Sequence, residues 1–147
     1  MNYKKTKNHI VLSLQKGEYV NKSIEEVFVS ENLRSGWISG LGAAYDIELG
    51  YYDLNKKDYI KKMFSDEYEI TSLVGNVAFL NDAYFVHTHT TICDSNFKAF
   101  GGHLFDAKIA ATGEFKITLF DTDINRAFSD EIGLNLWCLH NENCKNK

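Results

Sequence analysis

Three histidines, His87, His89 and His103, are the residues of this chain best suited to chemistry. His87 and His89 sit one residue apart inside Val86-His87-Thr88-His89-Thr90, whose β-branched neighbours favour extended backbone. On a strand, side chains two positions apart share a face, roughly 6.5–7 Å apart along the chain. Two imidazoles so placed can converge on one cation. His103 follows Gly101-Gly102 and begins another apolar run. If that run returns antiparallel beside the first, His103 supplies a third nitrogen, and the diglycine permits close backbone approach. Zinc takes nitrogen ligands at about 2.0–2.1 Å, and open sites commonly hold it with three protein ligands plus water. The competing reading is three packed or half-exposed strand histidines, the ordinary fate of single histidines in sheets.

Other candidates are weaker. Cys93 falls on the same expected face as His87 and His89 and is either a fourth ligand or a buried free thiol. Glu69 and Glu114 lie in strongly apolar runs; each is an outward strand residue, an inter-subunit partner or a general base. Burial would raise their pKa and favour the last role. Cys138-Leu139-His140 and Cys144 are metal-capable, but a complete zinc module shows two paired ligand sets with firmer spacing. His9 is isolated. The chain carries no GxSxG elbow, HExxH motif or glycine-rich phosphate loop, and Gly40-Leu41-Gly42 is too short to be one. The residues alone therefore suggest a divalent transition metal, zinc first, and no particular reaction.

The elements that must position these residues read as one α+β domain over residues 1–147, mainly antiparallel sheet with one principal helix. An ordered core is expected over about 8–139, followed by a polar, mobile tail from Asn141. His9–Leu14 alternates as a strand. Ser23-Ile24-Glu25-Glu26 fits a capping box opening a helix that runs to about Leu33, with Gly36 as its stop. Trp37–Leu41 and Ala43–Tyr52 read as strands divided by a bulge at Gly40 and Gly42, then Tyr59–Phe64 and Glu69–Phe79. Asn81-Asp82 turns into Tyr84–Cys93, and His103–Ala110 and Phe115–Phe120 complete the set. Short strands joined by tight turns favour antiparallel pairing.

Composition excludes several classes. A hydrophobic fraction of 44% over 147 residues supports a packed core. Sixteen basic against 20 acidic residues leave a charge of −4, the opposite of a domain that grips duplex DNA with its own surface. Lys4–Lys7 reads as a solvated, frayed terminus. Three cysteines without a secretory signal point to reduced thiols and the cytoplasm, and no stretch reaches the length of a membrane span.

Taken in order, Lys16-Gly17-Glu18, Ile38-Ser39-Gly40-Leu41-Gly42-Ala43, Gly50-Tyr51-Tyr52-Asp53 and Tyr68-Glu69-Ile70-Thr71-Ser72-Leu73-Val74-Gly75-Asn76 lead to Val86-His87-Thr88-His89. Gly101-Gly102-His103-Leu104, Glu114-Phe115-Lys116-Ile117, Arg126, Asp130 and Gly133-Leu134 follow. Across nearly its whole length the chain resembles the PPC (plants and prokaryotes conserved) domain family, found with AT-hooks in plant nuclear proteins. The resemblance implies a compact fold around an antiparallel sheet, assembly as a homotrimer, and in some members a metal held at the positions of His87, His89 and His103. It also implies a regulatory role with DNA or transcriptional proteins as partners; a zinc-dependent enzyme or small-molecule binder is the alternative. The sequence departs from the plant pattern in having no Arg-Gly-Arg-Pro hook element.

Overall fold

The computed structural model describes residues 1–139. Its strands are β1 (Asn2–Lys5), β2 (His9–Gln15), β3 (Ser35–Asp53), β4 (Asp58–Phe64), β5 (Tyr68–Leu80), β6 (Ala83–Cys93), β7 (Ala99–Phe120), β8 (Asn125–Ser129) and β9 (Leu134–Cys138), with one helix, α1 (Val20–Ser30). All nine strands belong to one sheet, following the path β1-β2-β7-β3-β5-β8-β9, with β4 on β3 and β6 on both β5 and β7. Every pairing is antiparallel except β5–β8. β3, β5, β6 and β7 pair in a closed circuit, since β3 bonds both β5 and β7 while β6 bonds the same two strands. No free edge remains between them.

Alternation sets the core. In β2, Ile10, Leu12 and Leu14 are fully buried while Val11 is exposed. They meet Ile24, Val27 and Phe28 of α1, and Ile38, Phe115 and Ile117 of β3 and β7, in one cluster. The bulge expected between Gly40 and Gly42 is present, but it bends one continuous strand of 19 residues rather than dividing two. β7 likewise runs 22 residues through the positions expected to separate two strands. Asn81 and Asp82, at φ 51° and 62°, make the tight turn between β5 and β6.

The helix ends differ from the sequence reading. α1 begins at Val20, so Ser23 lies within its first turns and no capping box forms; Tyr19 at the N-cap makes no side-chain bond. The missing acceptor comes from β7: Asp106 Oδ1 accepts from the Asn21 amide at 2.9 Å. The cap is delivered across the fold, which local sequence cannot announce. At the other end Asn32 takes the left-handed conformation (φ 47°), and the Leu33 amide donates to Phe28 O while the Asn32 amide donates to Val29 O. This double bond pattern stops the helix three residues early. Gly36 belongs instead to β3.

The N-terminus is not frayed. Asn2–Lys5 pairs with β2, and Lys5 Nζ reaches Glu31 at 2.9 Å. β8 and β9, which the sequence reading did not separate from the rest of the core, form an added hairpin. The expectation of reduced thiols holds for Cys93, which is free, and not for Cys138, which is bonded. His140, Cys144 and the tail from Asn141 lie outside the described residues.

Candidate metal centre

The histidines project from two adjacent strands. His87 and His89 stand on β6, and His103 on β7 lies directly opposite His89 in the antiparallel register. Thr88, between the pair, points the other way and is fully buried. Its hydroxyl donates to Asn21 Oδ1 at 2.7 Å, and Asn21 Nδ2 donates to the carbonyls of Leu104 and Phe105, both at 3.0 Å. One helix side chain therefore clamps both histidine strands from behind. The diglycine serves the approach expected of it at Gly102, where a Cβ would fall 2.7 Å from Gly50 O on β3.

The three imidazoles form a triangle with ring centroids 5.2, 5.1 and 5.4 Å apart. One ligand nitrogen from each lies within 4.8 Å of the others. A tetrahedral zinc with bonds of about 2.0–2.1 Å separates its nitrogens by about 3.3 Å. The triangle thus needs to close by no more than about 1.5 Å. His103 Nδ1 is buried without a hydrogen-bond partner, an orphan that a cation would satisfy. The donor set and its spacing fit a divalent transition metal.

The surroundings keep these rings neutral. Burial, reinforced by Arg126 and the other two histidines, pushes His87 down to about 4. Burial, with His89, Lys61 and Arg126, takes His103 to about 4 as well. His89 is lowered by burial. Tyr59 stacks against His103 at 5.0 Å and Phe105 meets it edge-on at 4.9 Å. Arg126 of β8 is 8% exposed. Its Nη1 donates to Asn135 O at 2.7 Å, and its Nη2 to Asn76 Oδ1 at 2.8 Å and toward His87 Nδ1 at 3.2 Å. Guanidinium only donates, so His87 Nδ1 accepts and the proton of the neutral ring sits on Nε2. A cleft of about 350 Å³ opens beside His87, His103 and Arg126.

The remaining candidates stand apart. Cys93 is half-buried and its thiol lies 3.6 Å from Asp94 O; it is four residues beyond His89, about 13 Å along the strand, and outside the triangle. Glu69 and Glu114 are exposed, as outward strand residues. Arg126, Asn76 and Tyr59 received no role from sequence; the signal available was a polar Asn76 inside the apolar run Leu73–Leu80.

The profile of the Plants and Prokaryotes Conserved (PCC) domain matches residues 1–121. The chain belongs to this family. Solved structures agree in fold. A metal-containing protein of Archaeoglobus fulgidus is 34% identical, with 93% of this chain and 96% of that chain covered at a TM-score of 0.83. A protein of Bacteroides thetaiotaomicron, described provisionally as DNA-binding, is 29% identical over 93% and 96%, at 0.89. A plant- and prokaryote-conserved (PPC) protein of Pyrococcus horikoshii is 26% identical over 92% of each chain, at 0.82. No curated protein matches. Among the described residues, no helix of this PCC domain is long and apolar enough to cross a membrane.

Proposed function

We propose that this PCC domain holds one divalent transition metal, zinc first, on His87, His89 and His103, and serves as a cytoplasmic regulatory protein associated with DNA or transcriptional proteins. The observation that carries the metal is the convergence of three neutral imidazoles, one of which, His103, has a buried nitrogen without a partner. Bound there, such an ion supplies a Lewis acid or a low-pKa water. The metal-containing relative supports the first part, and the Bacteroides neighbour supports the second. The charge of −4 favours DNA contact through an assembly or a partner over contact by one subunit. Lys56 and Lys61 already face Asp53 and Glu48 at 3.8 and 3.5 Å.

Self-association as a homotrimer belongs to the same proposal. Tyr51 on β3 and its register partner Ile60 on β4 are 72% and 55% exposed, an apolar surface that a second copy can cover. Light scattering checks this; a mass of 16.8 kDa at micromolar concentration refutes it. The metal is tested by elemental analysis of tag-free protein. Wild type carries close to one zinc per chain and His89→Ala none; wild type that takes up no added zinc refutes the site. For DNA, a labelled duplex is titrated at two salt concentrations, with Lys56, Lys57, Lys61 and Lys62 changed to glutamate in a control. Submicromolar binding lost in the control supports the role. The cleft beside the histidines favours a second reading, a zinc-dependent enzyme or small-molecule binder.

A further inference from the structure

Arg126 is a buried cation with no counter-charge among the described residues. Long charged side chains are rarely this buried unless paired. Its three hydrogen-bond partners, Asn135 O, Asn76 Oδ1 and His87 Nδ1, are all neutral. It forms no ion pair among the described residues, and no Asp or Glu lines the cleft it enters. The Phe85 ring under the guanidinium, 4.9 Å from Cζ, offsets part of the desolvation but brings no net charge. Arginine has five N–H donors, and three are engaged here, leaving two; buried Nε is one of them. A metal on the neighbouring histidines would add two further positive charges beside the same cleft.

We propose that this cleft binds a small organic carboxylate whose charged end meets Arg126 beside the histidine triangle and whose apolar body fills the remaining space. Carboxylate suits a planar guanidinium, and charge-assisted bonds of this kind are the strong ones. The rest of the cleft dictates the body. Tyr59, Phe105, Leu134 and Leu136 supply aromatic and aliphatic walls. A volume of about 350 Å³ accommodates a ring or a chain of several carbons. Inorganic phosphate fits these walls poorly, because it has no apolar part to bury. The inference deepens the small-molecule reading of the metal centre, but the Arg126 contact does not depend on the metal.

The test is calorimetric titration of the tag-free, full-length protein with sodium benzoate, and separately with inorganic phosphate, in chloride-free buffer at pH 7.5. Each titration is run zinc-free and zinc-loaded. Benzoate is expected to bind both forms at one site per chain, more tightly with zinc present. Arg126→Gln should weaken benzoate at least tenfold in both forms. Leu136→Trp, which narrows the cleft from its apolar wall at a residue that bonds neither Arg126 nor the histidines, should weaken it similarly and leave zinc uptake unchanged. That second variant carries the test if Arg126→Gln does not fold. Zinc-free His89→Ala should bind benzoate within threefold of zinc-free wild type. Absence of benzoate binding overturns the inference, as does equal binding by Leu136→Trp and wild type. Phosphate binding more tightly than benzoate also overturns it. Failure to bind zinc, with Arg126-dependent benzoate binding intact, refutes the metal centre and leaves the carboxylate site standing.

Discussion

The two faces of β6 and β7 do opposite things with neighbouring residues. Toward α1, Thr88 and Leu104 are buried and every polar atom is met: the Thr88 hydroxyl by Asn21, the strand carbonyls by the Asn21 amide. On the other face, one residue away, His103 Nδ1 and Arg126 Nε are buried and unmet. Buried polar groups cost free energy unless bonded, so a fold tolerates orphans where something else completes them. The helix face is finished by the chain itself, whereas the histidine face leaves two buried atoms that the proposed ligands would complete.

The largest effect that sharpens this contrast is a change on the finished side. Phe115, 2% exposed in the cluster beneath α1, should cost about 3–5 kcal/mol when changed to alanine. Urea denaturation measures the loss, and the fraction still folded should carry the wild-type zinc content. A smaller loss, about 1–3 kcal/mol, is expected for Asn21→Ala, which leaves the Thr88 hydroxyl and two strand carbonyls short of partners. Asn21 ties the two histidine strands together, so its loss should also weaken zinc severalfold. Unchanged zinc affinity in a folded Asn21→Ala protein would break the link between the faces.

Acid distinguishes the faces next. His87 and His103 titrate near 4 when folded and near 6.5 when unfolded. The unfolded chain therefore takes up protons first as pH falls, and the metal-free domain loses stability between about pH 6.5 and 4. Above pH 7 these groups contribute no pH dependence. Urea midpoints at pH 7.5, 6, 5 and 4 follow the decline, which a His87→Ala, His103→Ala double variant should flatten. Neutral rings also mean that zinc release begins below pH 6.5 rather than at the ordinary histidine value, read by a zinc-sensitive dye.

The smallest stability change is expected where the site is most open. His89 is exposed, so His89→Ala should shift the metal-free midpoint by no more than about 0.5 kcal/mol. Arg126→Met should bind zinc severalfold more tightly, because it removes a positive charge beside the triangle. Weaker zinc in that variant would make Arg126 a support of the triangle instead.

Much of this was legible in the residues. The i, i+2 spacing of His87 and His89 and the glycines before His103 foretold the triangle, because strand alternation and antiparallel return are local rules. Ile10, Leu12 and Leu14 announced their face in the same way. What escaped was whatever depends on long-range contact. The helix start was misplaced because its cap, Asp106, arrives from a strand 85 residues away. Arg126 carries no spacing signal, since its partners Asn76 and His87 meet it only through the parallel β5–β8 junction. Asn76 and Arg126 stood among the residues of the family resemblance, but their joint role beside the histidines was not legible for that reason.

That junction has a kinetic consequence. β7 is paired along its length with β2, β3 and β6, whereas β8 and β9 join the sheet through a single register pair, Phe79 with Asn125. Amide hydrogen exchange should separate the two. Amides of Leu104 and Ile117 should exchange only with global unfolding, while those of Ala127 and Leu136 should exchange through a cheaper local opening. Such an opening would carry Arg126 away from the histidines, giving the cleft one wall that opens before the other. Access to it would then be limited by the hairpin's opening rate rather than by diffusion.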